Sequence, residues 1–113
     1  MKYVAKTVQT IKGREWSFYL LTDKVFEKLH NTEGEENNAM TLPPKYEVHF
    51  SKSSWSIVDI RHELGHVFFA MTDTNSSNLD VGQVEETMCS IIGSSLPEIA
   101  LVADRVAECF FNA

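Results

Sequence analysis

Val58-Asp59-Ile60-Arg61-His62-Glu63-Leu64-Gly65-His66-Val67-Phe68-Phe69-Ala70-Met71 holds a His-Glu-x-x-His box inside an amphipathic run. On a helix, residues four apart lie one turn apart on the same face. The imidazoles of His62 and His66 can therefore converge on one metal ion, while Glu63 points beside them at a metal-bound water. Ser56, with Asp59 three residues on, supplies an imperfect capping box ahead of the helix. Ile57, Ile60, Leu64, Val67, Phe68 and Met71 then recur at helical spacing. At about 100° per residue these six gather on one side, and the two histidines fall nearly opposite. The histidines therefore face a cavity or water. Gly65 costs a helix about 1 kcal/mol relative to Ala. Close approach of another backbone to the metal face is the expected compensation.

The bulk of the chain sets bounds on what surrounds this helix. Its 113 residues make a single domain, 1–113, large enough for one core without staples. A hydrophobic content of 43% is ordinary for a soluble globular protein, so a packed core is expected. The formal charge of −6 lacks the basic stripe of a nucleic-acid binder. Cys89 and Cys109 form no Cys-x-x-Cys pair and no disulfide framework. A reducing, cytoplasmic setting is the simplest expectation. The first nine residues alternate polar and apolar and resemble no signal peptide, and no run approaches a membrane span in length.

In chain order, residues 3–11 and 15–21 read as two strands joined by a Lys12-Gly13 turn, a hairpin. Thr22 or Asp23 can cap a short helix carrying Val25, Phe26 and Leu29, with His30 at its end facing solvent. Residues 31–44 are polar and acidic and close on Pro43-Pro44, which predicts a long flexible loop. Residues 45–51 read as a strand with Tyr46, Val48 and Phe50 on one face and Glu47 and His49 on the other. After a second loop, Asp80 with Gln83 predicts a helix start, and Val81, Val84, Met88, Ile91 and Ile92 form an apolar stripe. Ser95 with Glu98, and Pro97 in the first turn, predict a separate last helix that buries Ile99, Val102, Val106 and Phe110. The fold class is α+β: a small sheet packed on the metal helix, with two further helices behind.

A catalytic zinc ion takes three protein ligands and keeps one position for water. No histidine follows His66, which leaves carboxylates and Cys89 as downstream candidates. The stretch Val84-Glu85-Glu86-Thr87-Met88-Cys89-Ser90-Ile91-Ile92-Gly93 resembles the glutamate helix of gluzincins, thermolysin-like enzymes in particular. In that group a glutamate follows the second histidine by twenty positions, which falls on Glu86. Aminopeptidase-type gluzincins are one residue shorter, which selects Glu85. Glu86 is preferred because Cys89, Ser90 and Gly93, all small, share its face and would allow close approach to Gly65. The small size also resembles compact ImmA/IrrE-type zincins and the minimal zincin-like proteins of phages and bacteria. Ser90 stands where the family has an aspartate beside the metal ligands.

The resemblance implies a zinc-dependent metalloendopeptidase. In that scheme zinc activates a water, Glu63 takes its proton and passes it to the leaving amine, and a protein or peptide is the substrate. The 45–51 strand is expected at or near a sheet edge, where an extended peptide can add to it. His49, or Tyr46, would then reach the oxyanion. A second reading keeps the fold and the metal but docks a protein partner without hydrolysis. A third is a regulator encoded by a mobile element.

Overall fold

A computed structural model describes residues 1–30, 39–72 and 80–113. The chain opens with β1 (Ala5–Ile11) and β2 (Arg14–Leu21), paired antiparallel with Ile11 opposite Arg14. Their two-residue connection has Lys12 at φ 52° and Gly13 at φ 80°. Two successive left-handed residues match the twist of a tight hairpin, and Gly13 meets that demand without steric cost.

Helix α1 (Asp23–His30) follows, its first turn capped by the Thr22 hydroxyl, which accepts from the Val25 amide at 3.3 Å. The Asp23 carboxylate takes the hydroxyls of Ser51 and Ser53 and the Ser53 amide, and these bonds hold it below the usual carboxylate range. This ties the start of α1 to the end of β4 (Glu47–Ser51).

The expected loop over residues 31–44 needs correcting where it is described: Ala39–Leu42 is a strand, β3, followed by a single 3-10 turn at Pro43–Lys45. Residues 31–38 lie outside the described residues. The sheet order is β1-β2-β4-β3, with β2 and β4 parallel and β3 antiparallel to β4. β4 is thus hydrogen-bonded on both sides. The free edge next to it belongs to β3, so strand addition to the 45–51 strand is ruled out.

Both faces of this sheet are covered. Trp16, Phe18, Leu20, Val48 and Phe50 point into the main core with Ile60, Leu64 and Val67 of α2 (Ile57–Ala70). Tyr19 and Leu21 point to the other face, where they meet Phe26 of α1. That is why β2 buries almost every residue of its second half and shows no clean alternation.

The expected break into two C-terminal helices is also corrected. A single helix, α3, runs Val81–Phe111 over 31 residues with Pro97 inside it. Its start is as expected: the Asp80 carboxylate accepts from the Gln83 amide at 2.8 Å, and the Gln83 side chain returns to the Asp80 amide at 3.0 Å. Proline inside a helix removes one hydrogen bond and costs about 3 kcal/mol. Here the buried row Ile91, Ser95, Ile99, Val102, Val106 and Phe110 stays in phase straight through position 97. Pro97 itself lies on the exposed side, where water can satisfy the freed carbonyl. Continuous burial of one face outweighs the local break.

Candidate metal centre

Helix α2 begins at Ser56, whose hydroxyl accepts from the Asp59 amide at 3.2 Å and lies 3.0 Å from the Asp59 carboxylate. Ile60, Leu64, Val67 and Phe68 go into the core. As the periodicity demands, His62 and His66 emerge on the exposed side. Their rings stand 5.0 Å apart between centroids. Ligand atoms of His62, Glu63 and His66 all fall within 4.8 Å of one another, the one such group of three among the described residues.

Glu63 differs from its two neighbours. It is only 7% exposed, while the His62 side chain is 69% exposed. The hydroxyl of Thr41, on the edge strand β3, donates to Glu63 Oε1 at 3.0 Å. The other oxygen, Oε2, lies 3.7 Å from His62 Nε2. One carboxylate oxygen is therefore fixed by the sheet, and the other is left facing the histidines. A carboxylate held in this way presents a defined acceptor beside any group that the two imidazoles bind. Two imidazoles with a carboxylate at their side are a donor set suited to a divalent metal ion. The group can hold a metal ion.

The expected partner on α3 is not where the spacing put it. Glu86 does not join the cluster, and the reason is helical phase. Val84, Met88, Ile92, Leu96 and Ile99 of α3 face the histidine side of α2 across a groove. Glu86 precedes Gly93 by seven residues, so both occupy one side of α3, and a Cβ added at Gly93 would meet nothing within 4 Å. Gly93 thus marks an outward face and not a helix contact, while Ser90 lines a separate cleft with Phe68 and Met71. Glu85, three and seven residues before Met88 and Ile92, is the acid on the groove side.

Among the described residues nothing approaches Gly65 closely either, since a Cβ there would meet no atom within 4 Å. Gly65→Ala is accordingly expected to stabilise the protein by about 1 kcal/mol, the difference in helix propensity. The midpoint of urea unfolding, with m unchanged, is the measurement that checks it.

His49 is likewise removed from the site. It lies on the α1 face of the sheet, opposite Val48 and Phe50, and is 4% exposed. Its Nε2 is 2.9 Å from Glu47 Oε1 and its Nδ1 is 2.9 Å from His30 Nε2. Nε2–H donating to the carboxylate leaves Nδ1 to accept from His30, so one neutral tautomer on each ring satisfies both bonds. His30, expected in solvent, is half-buried in this pair. Burial first, then the facing His49 and Lys45, hold His30 below its ordinary value of 6.5.

A depressed folded-state pKa gives a definite sign. The contribution of neutral His30 is complete above the unfolded value and is lost as pH falls through the lower folded one. Urea midpoints measured between about pH 7.5 and pH 5.5 should fall with pH, and His30→Gln should shrink that fall.

Comparison with family models, with curated proteins and with solved structures returned no match. Among the described residues no helix is long and apolar enough to cross a membrane.

Two residues of the site escaped the sequence reading. Thr41 sits in four residues between a polar run and Pro43-Pro44, too short for a strand period to declare itself. Arg61 was legible: Arg61, Gly65 and Phe69 recur every four residues and form one ridge along the groove.

Proposed function

We propose that this chain is a small zinc-dependent peptidase of the zincin type, with His62 and His66 holding the metal and Glu63 serving as the general base. The observation that carries the reading is the asymmetric setting of Glu63. One oxygen is tied to Thr41 of the edge strand and the other is directed at His62. An ordinary surface helix with two exposed histidines has no need of a buried, sheet-anchored carboxylate between them. Zinc, when bound, supplies a Lewis acid for the substrate carbonyl and lowers the pKa of water towards neutrality.

The remaining roles belong to the chain. Glu63 Oε2 is placed to take a proton and return it to the leaving amine. β3, hydrogen-bonded to β4 and bearing Thr41, has no second strand partner among the described residues, and that edge would take an extended peptide. Of the two glutamates considered as a third ligand, Glu85 shares the helical side of Met88 and Ile92, while neither it nor Glu86 belongs to the histidine cluster.

A non-hydrolytic reading, in which a metal-loaded protein docks a partner, gains from one observation. With His49 on the far side of the sheet, the site has lost its expected oxyanion donor. Hydrolysis of unfolded protein substrates separates the two. The peptidase reading expects cleavage that a chelator stops and added zinc restores; no cleavage by fully zinc-loaded protein would leave the docking reading standing.

A further inference from the structure

The groove beside the histidines has a volume of about 810 Å³ and is walled by Phe69 of α2 and by Val84, Met88, Ile92, Leu96 and Ile99 of α3. Thr72 and Met71 share a smaller cleft with Thr87 and Ser90, so α3 starts beside the end of α2 and runs back along it. The groove thus follows α2 from Arg61 to Phe69, about 12 Å at 1.5 Å per residue. Ile92 and Leu96 remain 56% and 54% exposed, a large outlay of apolar surface on one flank. Among the described residues no carboxylate lines the groove. Apart from the two histidines, Arg61 is the one ionisable residue among the described residues of the lining, and among them it makes no ion pair.

We infer that the groove receives the C-terminal residue of a peptide, a large apolar side chain lying against Met88, Ile92 and Leu96 and the free carboxylate meeting Arg61. The inference rests on the peptidase reading for its orientation, because the bond preceding that residue would then lie at His62 and His66. It sharpens that reading from internal cleavage to removal of a C-terminal apolar residue. Charge complementarity selects the occupant: a wholly apolar ligand would leave the guanidinium unused, and an internal segment could reach it only through an acidic side chain, which the apolar walls beside it do not favour. A guanidinium pairs with a carboxylate through two parallel hydrogen bonds, which gives the end of a chain a geometric signature that an amide lacks.

The test uses full-length, zinc-loaded Glu63→Gln protein, which binds without turnover. Its probes are fluorescein-labelled hexapeptides ending in Phe as the free acid, in Phe as the amide, and in Ala as the free acid. Fluorescence anisotropy should show the Phe acid bound about tenfold more tightly than the Phe amide, as expected for a hydrogen bond to a charged group. It should also bind more tightly than the Ala acid. Adding Arg61→Gln, with zinc retained, should bring the acid-to-amide ratio to one and leave amide affinity unchanged.

Equal binding of acid and amide, or a ratio that survives Arg61→Gln, would overturn the inference. So would displacement of the peptide by decanoate at concentrations below the peptide's own Kd, which would give the groove to an acyl chain. Hydrolysis by the wild type is scored separately. Internal cleavage indifferent to a free terminus would leave the peptidase reading intact and sink this inference. Selective binding of the acid with no cleavage would do the reverse.

Discussion

Glu63→Gln is expected to leave the fold and the bound metal in place and to lower hydrolysis by about 10²–10⁴-fold, the usual contribution of a positioned general base. The amide is nearly the same size as the carboxylate, and its oxygen can still accept from the Thr41 hydroxyl, which lies 3.0 Å from Oε1. The other end becomes an NH₂ group, which donates and cannot take a proton. The loss should therefore fall on kcat, with KM little changed, because nothing in the groove has been altered. Circular dichroism and zinc content identical to wild type, beside the collapsed rate, are the expected set. Cleavage by this variant at the wild-type rate would remove Glu63 from the mechanism.

The second large effect concerns the fold that holds the site. Phe50 on β4 is fully buried, and its ring meets Phe110 near the end of α3 at 5.5 Å between centroids. Trp55, just ahead of α2, packs against the same Phe110 ring at 5.4 Å. The pair joins the sheet to the last turns of a 31-residue helix and to the approach to the metal helix. Phe50→Ala should cost about 3–5 kcal/mol, from lost burial plus the cavity left behind. Against a total stability of about 5–15 kcal/mol for a domain, that is a large share. Phe111, one residue beyond Phe110 and 78% exposed, meets Trp55 edge-on at 4.9 Å between centroids and serves as the control: Phe111→Ala should cost no more than about 1.5 kcal/mol. Urea midpoints for the two variants check both figures. A Phe50→Ala midpoint equal to wild type would mean that this contact does not join the sheet to the helix.

What the sequence disclosed and what it hid divide along one line, whether the deciding interaction is local. Ser56 and Asp80 cap their helices by reaching three residues along the chain, and both caps are present as read. The hairpin turn needs only the freedom of Gly13 and its neighbour. The placing of His62 and His66 opposite the apolar stripe of α2 follows from the helical period alone. β3 was hidden because Ala39–Leu42 becomes a strand only by pairing with β4, and four residues carry no period of their own. The continuity of α3 was hidden because Pro97 is a strong local signal. Only the buried row on both sides of it, which pays for the lost hydrogen bond, overrides that signal.

Glu86 stands apart from the histidine cluster. Cys89 and Gly93 are exposed, Ser90 lines a cleft with Phe68 and Met71, and the larger Met88 and Ile92 line the groove beside the histidines. A row of small residues permits close packing; it does not bring a partner. Thr41 could not have been chosen from sequence at all. Its bond to Glu63 depends on β3 forming beside β4, a pairing between segments and not a local signal. His49 was assigned to the correct face of its strand, but that face is closed by α1, whose docking depends on Phe26 meeting Tyr19 and Leu21.

The central claim is that His62 and His66 hold a zinc ion with Glu63 beside it. Elemental analysis of the purified protein after zinc loading and gel filtration tests it most directly. About one equivalent of zinc is expected in the wild type and in Glu63→Gln. Little or none is expected in His62→Ala or His66→Ala, because the ligands that remain cannot close the site. Full stoichiometry in either histidine variant, or a wild-type protein that emerges free of zinc, would contradict the account.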